Sequence, residues 1–96
     1  MTFEARLDLE AAEFLESLDS KSQKIIKKNL RKLEEDPHPR PQNSLGDVEK
    51  VTVGGEEVYR MHISRTYTAF YVIKDQEQQV IVTEIVDIDT AHKMYD

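Results

Sequence analysis

The sequence predicts an α+β fold. An N-terminal strand leads into an antiparallel helical hairpin packed on one face of a twisted, mainly antiparallel sheet, and a short helical turn closes the chain. Three observations carry this. All three prolines and all three glycines lie between Pro37 and Gly55, leaving a front and a back free of helix and strand breakers. The front holds apolar residues at helical spacing. The back holds β-branched and aromatic residues in short runs bounded by turn signals. At 96 residues there is room for one core, so residues 1–96 are read as a single domain.

Each element has its own justification. Thr2–Leu7 alternates, with Phe3, Ala5 and Leu7 on one side and Thr2, Glu4 and Arg6 on the other, which predicts a first strand. Asp8 is placed to cap a helix over 9–18, where Ala11, Phe14, Leu15 and Leu18 recur at helical spacing. Asp19 breaks that helix and Ser20 opens the next, with Ser20 and Gln23 spaced as a capping box. Ile25, Ile26, Leu30 and Leu33 form the stripe of a second helix reaching Glu35. The connection is too short for anything but an antiparallel pair. Asp36–Ser44 reads as a loop in which Pro37, Pro39 and Pro41 enforce extended backbone, and His38 between two of them is expected to be exposed and inert. Val48–Val53 and the run from Glu56 flank Gly54-Gly55, a two-residue hairpin signal. A turn is expected at Arg65-Thr66, then a strand over Tyr67–Ile73, a polar turn over Lys74–Gln78, and a mainly apolar strand over Gln79–Val86, predicted to lie inside the sheet. Asp87 or Asp89 caps a last turn over Thr90–Tyr95.

Composition bounds the class. The chain is 39% hydrophobic and 33% charged, the balance of a soluble globular domain. It has no cysteine, so neither disulfides nor thiolate metal ligands enter, and an intracellular setting is the simpler expectation. No run approaches the length of a membrane span. The net charge of −6 argues against nucleic acid, but its distribution does not. Residues 8–19 are acidic without Lys or Arg, whereas 21–32 hold six of the 13 basic residues. Within that strip Lys24, Lys27, Lys28 and Arg31 are candidates for RNA or partner binding, against the plainer reading of a solvated helix face.

Tyr59–Ser64 is two-sided: Tyr59, Met61 and Ile63 face one way, and Arg60, His62 and Ser64 the other. One face can bury while the other carries chemistry. Tyr59, Tyr67 and Tyr71 read as packing residues. The spacing of His62, Asp87, Asp89 and His92 fits no standard ligand pattern, so no metal site and no cofactor is expected.

The element order, the run Tyr59-Arg60-Met61-His62-Ile63 followed by Tyr67-Thr68-Ala69-Phe70-Tyr71, and the tyrosine at position 95 resemble the RelE/ParE superfamily of toxins. The resemblance implies a small cytoplasmic toxin of a toxin–antitoxin system. Its RelE-type members cut mRNA on the ribosome without a metal, and a cognate antitoxin wraps around them. It carries the basic strand positions onto Arg60 and His62 and the C-terminal tyrosine onto Tyr95, with His92 one turn before. Thr68 and Ile88 stand where the family usually has arginines, and Arg65 is the nearest replacement for the first. Metal-free RNA cleavage needs a base for the 2′-hydroxyl, cations for the transition state and an acid for the leaving oxygen. The candidate catalytic set is therefore Arg60, His62, Arg65, His92 and Tyr95. The alternatives are a ParE-like toxin that binds a protein such as DNA gyrase, and an inactive member acting as a binding module.

Overall fold

A computed structural model describes residues 2–38 and 48–94. The described residues form β1 (Glu4–Leu7), α1 (Leu9–Glu16), α2 (Ser20–Glu35), β2 (Val48–Val53), β3 (Glu56–Ile63), β4 (Tyr67–Lys74), β5 (Gln79–Asp87) and α3 (Ile88–Met94). The strands make one sheet in the order β1-β5-β4-β3-β2. The β2–β3, β3–β4 and β4–β5 pairs are antiparallel hairpins, and β1 joins β5 in parallel. This is the predicted architecture, with β5 inside the sheet as its apolar composition required.

The alternation along β3 and β4 divides the interior in two. Helices α1 and α2 cover one face, where Ala11, Leu15, Ile26, Leu30 and Leu33 meet Met61, Ile63, Ala69, Tyr71, Val80, Val82 and Ile85. On the opposite face Val58, Phe70 and Ala91 form a smaller cluster, flanked by Val51, Val53, Val72, Val86 and Met94. Helix α3 folds back onto that second face through Ala91, and the Ile88 N–H donates to the Thr66 carbonyl at 2.9 Å. Gly54 and Gly55 both have positive φ, 58° and 84°, as a tight two-residue hairpin demands. Tyr71 is buried as expected; its ring stacks on Tyr59 at 5.4 Å and its hydroxyl donates to the Pro37 carbonyl at 2.8 Å. Burial, with Tyr59 and Asp36 nearby, pushes the Tyr71 hydroxyl well above the ordinary tyrosine range.

Several boundaries and caps differ from expectation. Helix α1 stops at Glu16, because the Ser17 hydroxyl donates to the Phe14 carbonyl at 2.6 Å and closes the last turn. Asp8 occupies its N-cap with extended backbone but makes no side-chain capping bond. Asp19, not Ser20, is the N-cap of α2. The Gln23 amide donates to the Leu18 carbonyl at 2.8 Å instead of closing a box with Ser20. The Ser22 hydroxyl holds the Asp19 carboxyl below its ordinary range. The turn between β3 and β4 begins one residue early, at Ser64, whose φ is 61°. Ser64 thus leaves the strand face it was expected to share with Arg60 and His62. Helix α3 starts at Ile88, two residues before the expected turn, and Asp87 is its cap: the carboxylate accepts the Thr90 N–H at 2.8 Å and is thereby lowered. His38 is not inert. It is half-buried, packs edge-on against Phe3 and lies 2.7 Å from the Asp75 carboxylate.

Candidate functional site

Because β3 is extended, Arg60 and His62 project to the same side, the sheet face that α3 rather than the helical hairpin overlooks. There the two side chains touch, Arg60 Nη1 against His62 Nε2. A guanidinium has only donors, so in this contact His62 Nε2 can only accept. Register places Thr68 directly opposite His62 and Phe70 opposite Arg60. The Thr68 hydroxyl is buried and has no hydrogen-bond partner among the described residues. Phe70 and Val58 give this polar row an apolar flank.

Arg60 is not an open cation. Its side chain is 6% exposed, and Nη2 lies 2.7 Å from Oε1 of Glu49, which is 57% exposed. Glu49 was not among the sequence candidates, yet it was reachable. Counting outward from Gly54-Gly55 pairs Val53 with Glu56 and, four steps further, Glu49 with Arg60. The Thr68 hydroxyl was legible only as the residue standing where an arginine was expected.

The remaining candidates divide between two sides of the molecule. Arg65 is exposed in the turn after β3, at the end of the sheet where Tyr67 pairs with Asp87 and α3 begins. His92 is exposed on α3, on the side of Arg60 and His62. Tyr95 lies outside the described residues. Lys24, Lys27, Lys28 and Arg31 are all exposed on α2, across the sheet from Arg60 and His62, so the basic strip and the β3 pair are separate surfaces.

The face around Arg60 also carries acids. Glu84 pairs with Phe70 in the β4–β5 register and lines a recess of about 300 Å³ with Val53, Glu56, Val58, Phe70 and Thr83. Burial, and then the neighbouring Glu10 carboxylate, hold Glu84 above the ordinary carboxylate range. Among the described residues no cluster of three or more His, Cys, Asp or Glu could hold a metal ion, and no helix is long and apolar enough to cross a membrane.

Comparison with solved structures settles the fold. The RelE–RelB complex from Pyrococcus horikoshii OT3 superposes with a TM-score of 0.71 at 20% identity, covering 91% of this chain and 96% of that one. The RelBE2 toxin–antitoxin complex of Mycobacterium tuberculosis gives 0.72 at 15% identity over 91% and 92%. A mutant of the E. coli toxin RelE in the free state gives 0.63 at 18% identity over 96% and 90%. The fold is that of RelE toxins. No protein-family model and no curated protein sequence matches the chain. Thr68 is buried opposite His62, and Asp87, Ile88 and Asp89 run from the end of β5 into α3.

Proposed function

We propose that this protein is the toxin of a toxin–antitoxin pair and cuts mRNA, on the ribosome, at the face built by Arg60 and His62. The observation that carries the reading is the contact of these two side chains on the sheet face opposite the helical hairpin of a RelE fold, beside a buried hydroxyl, Thr68 Oγ1, with no partner among the described residues. Arg60 offers a planar fork to phosphate oxygens. A phosphate entering there competes with the Glu49 carboxylate for Nη2 and with His62 Nε2 for Nη1. As Arg60 turns to the phosphate, the His62 lone pair is freed to take the 2′-hydroxyl proton. Arg65, His92 and Tyr95 are the remaining members of the set in this reading, Arg65 as a cation for the phosphate and His92 or Tyr95 as the acid for the leaving oxygen. A cognate antitoxin keeps the toxin inactive in a cytoplasmic setting.

A second reading is favoured by one observation. Arg60 already holds a carboxylate, and Glu84, Asp87 and Asp89 lie on the neighbouring strand end and α3. Such a face suits a protein target, as in a ParE-like toxin acting on DNA gyrase.

Purified protein in a cell-free translation reaction, with mRNA ends mapped by primer extension, separates the two. New ends within codons, made about 10²–10³-fold more slowly by Arg60→Ala, support the nuclease, since that is the usual loss for one transition-state donor. Intact mRNA together with blocked DNA supercoiling selects the second reading. Cleavage unchanged in Arg60→Ala refutes the site.

A further inference from the structure

Thr68 is wholly buried, yet its hydroxyl oxygen has no hydrogen-bond partner among the described residues. Valine would fill the same space without a polar atom to satisfy. A buried orphan hydroxyl therefore calls for a partner in another state of the molecule. In the ladder Thr68 lies between His62 of β3 and Val86 of β5, and Ala91 of α3 is buried against the same face. Val86 and Ala91 offer no polar side chain. His62 does, and directly opposite residues on neighbouring strands hold their Cβ atoms about 4.5–5.5 Å apart.

Protonation supplies that other state. In the contact with Arg60, His62 Nε2 accepts from the guanidinium. Once a proton sits on Nε2 the ring has two donors and a positive charge, and Arg60 is a cation with donors only. Attraction turns to repulsion, and the ring must find an acceptor. A threonine hydroxyl has two lone pairs, so it can receive an imidazolium N–H. The arginine that the family resemblance places at this position could not; it would set a second cation against the ring. The other charged and titratable groups on the elements around this face are Glu49 of β2, Glu84 and Asp87 of β5, and Asp89, His92 and Lys93 of α3. Glu49 is engaged by Arg60, and the Asp87 carboxylate by the Thr90 N–H. Glu84 stands on the Arg60 rung of the ladder rather than the His62 rung, and Asp89, His92 and Lys93 are exposed. Thr68 is the acceptor within the strand pair itself.

We propose that Thr68 is a positioning residue for His62: its hydroxyl accepts an N–H of the protonated ring when that ring leaves Arg60, and so holds the imidazolium in place across the strand pair. Its part in cleavage rests on the reading of His62 as the base. There the proton passes from the ribose 2′-hydroxyl to Nε2, the O–H bond breaking as the N–H bond forms, and Thr68 steadies the resulting ring while Arg60 stays with the phosphate. The exchange of partners itself needs no substrate, because a fall in pH protonates the same nitrogen.

The test is an NMR pH titration of the three histidine rings in the whole protein, with His62 assigned through the spectrum of His62→Gln. Thr68→Val keeps the shape and removes the acceptor, whereas Thr68→Ser keeps the acceptor. Thr68→Val should lower the His62 midpoint by about one unit, the scale of one lost hydrogen bond to a charged group, and Thr68→Ser should restore most of it. The midpoint of His38, whose contacts are Phe3 and Asp75, should not move. Because the hydroxyl has no partner while His62 is neutral, Thr68→Val should melt no lower than wild type at pH 8. In a protein that cuts RNA, the acidic limb of the pH–rate profile should move down with the midpoint. The proposal is overturned by a His62 midpoint that Thr68→Val leaves unchanged, by a Thr68→Ser titration that matches Thr68→Val, by an equal shift at His38, or by Thr68→Val melting well below wild type at pH 8. The titration reads no cleavage. A midpoint that moves in a protein that cuts nothing upholds the exchange of partners and fails the nuclease reading; an unmoved midpoint in a protein that cuts RNA fails this proposal alone.

Discussion

The pairing of Glu49 with Arg60 makes an asymmetric prediction. Arg60 is almost wholly buried and Glu49 is more than half exposed, so the two ends of one ion pair have unequal stakes. Losing one partner of a fully buried pair costs about 3–5 kcal/mol, while exposed pairs contribute about 0–1. With one partner on each side of that divide, and with His62 still accepting from Arg60, Glu49→Gln should cost about 1–2 kcal/mol. For a domain of this size that lowers Tm by roughly 5–15 °C. Arg60→Met should cost less, because it removes the buried charge and leaves an acid that water already reaches. Once Arg60→Met is in place, adding Glu49→Gln should change Tm little. Thermal unfolding followed by circular dichroism at pH 7, at low and molar salt, reads all three variants. The reasoning is refuted if Glu49→Gln melts within a degree of wild type, or if Arg60→Met falls further than Glu49→Gln.

Other outcomes follow from the same geometry. The raised carboxyl of Glu84 binds its proton more tightly in the folded chain than in the unfolded one. Its favourable contribution is therefore complete below the ordinary glutamate pKa, about 4.3, and is lost as pH rises through the higher folded value. Glu84→Gln should thus raise Tm at pH 7, with the gain vanishing near pH 4; an equal gain at both pH values would rule this out. Tyr71→Phe strands the Pro37 carbonyl and should cost about 1–3 kcal/mol in urea unfolding, whereas Leu33→Ala, fully buried beneath the sheet, should cost about 2–5. Gly54 has nothing within 4 Å of a would-be Cβ, so a substitution there meets only the positive-φ penalty. Gly54→Val should lose about 1–2 kcal/mol and Gly54→Asn clearly less, and equal melting temperatures would show that the hairpin does not depend on this backbone.

Much of the fold was legible because the local signals agreed. The Gly54-Gly55 pair set the β2–β3 register, the alternation in Tyr59–Ile63 assigned both faces of β3, and the stripe ending at Leu33 placed α2. What was missed turned on competition between near-equivalent groups a residue apart. Asp19 and Ser20 could each cap α2, and the neighbouring Leu18 carbonyl drew the Gln23 side chain away from the expected box. His38 looked isolated between prolines, but its partners, Phe3 and Asp75, lie far off in sequence, and long-range contacts leave no local trace. The candidate site was half legible. That Arg60 and His62 share a face follows from strand geometry alone. That Arg60 is buried does not, since it depends on how β2, β4 and α3 close around it.

The burial of Arg60 sharpens what its site must do. A cation that exists only to stabilise the fold would be better replaced by an apolar residue, because ion pairs in such places are often no more stabilising than well-packed hydrophobic substitutes. A cation that exists only to meet phosphate would be better left uncovered. Arg60 is neither: it is sunk to 6% exposure, shares its fork between a carboxylate and an imidazole, and the carboxylate sits on an edge strand where water reaches it. The exposed member is the one a competing phosphate can displace without exposing the guanidinium. On the nuclease reading, Glu49 holds Arg60 in position when the site is empty and yields when an anion arrives. On this argument Glu49→Gln separates the two functional readings. If the face binds phosphate, the variant melts lower but is stabilised by a short RNA at least as strongly as wild type. If the face engages a protein target through the Glu49 carboxylate, target binding falls with the carboxylate and RNA changes nothing in either protein.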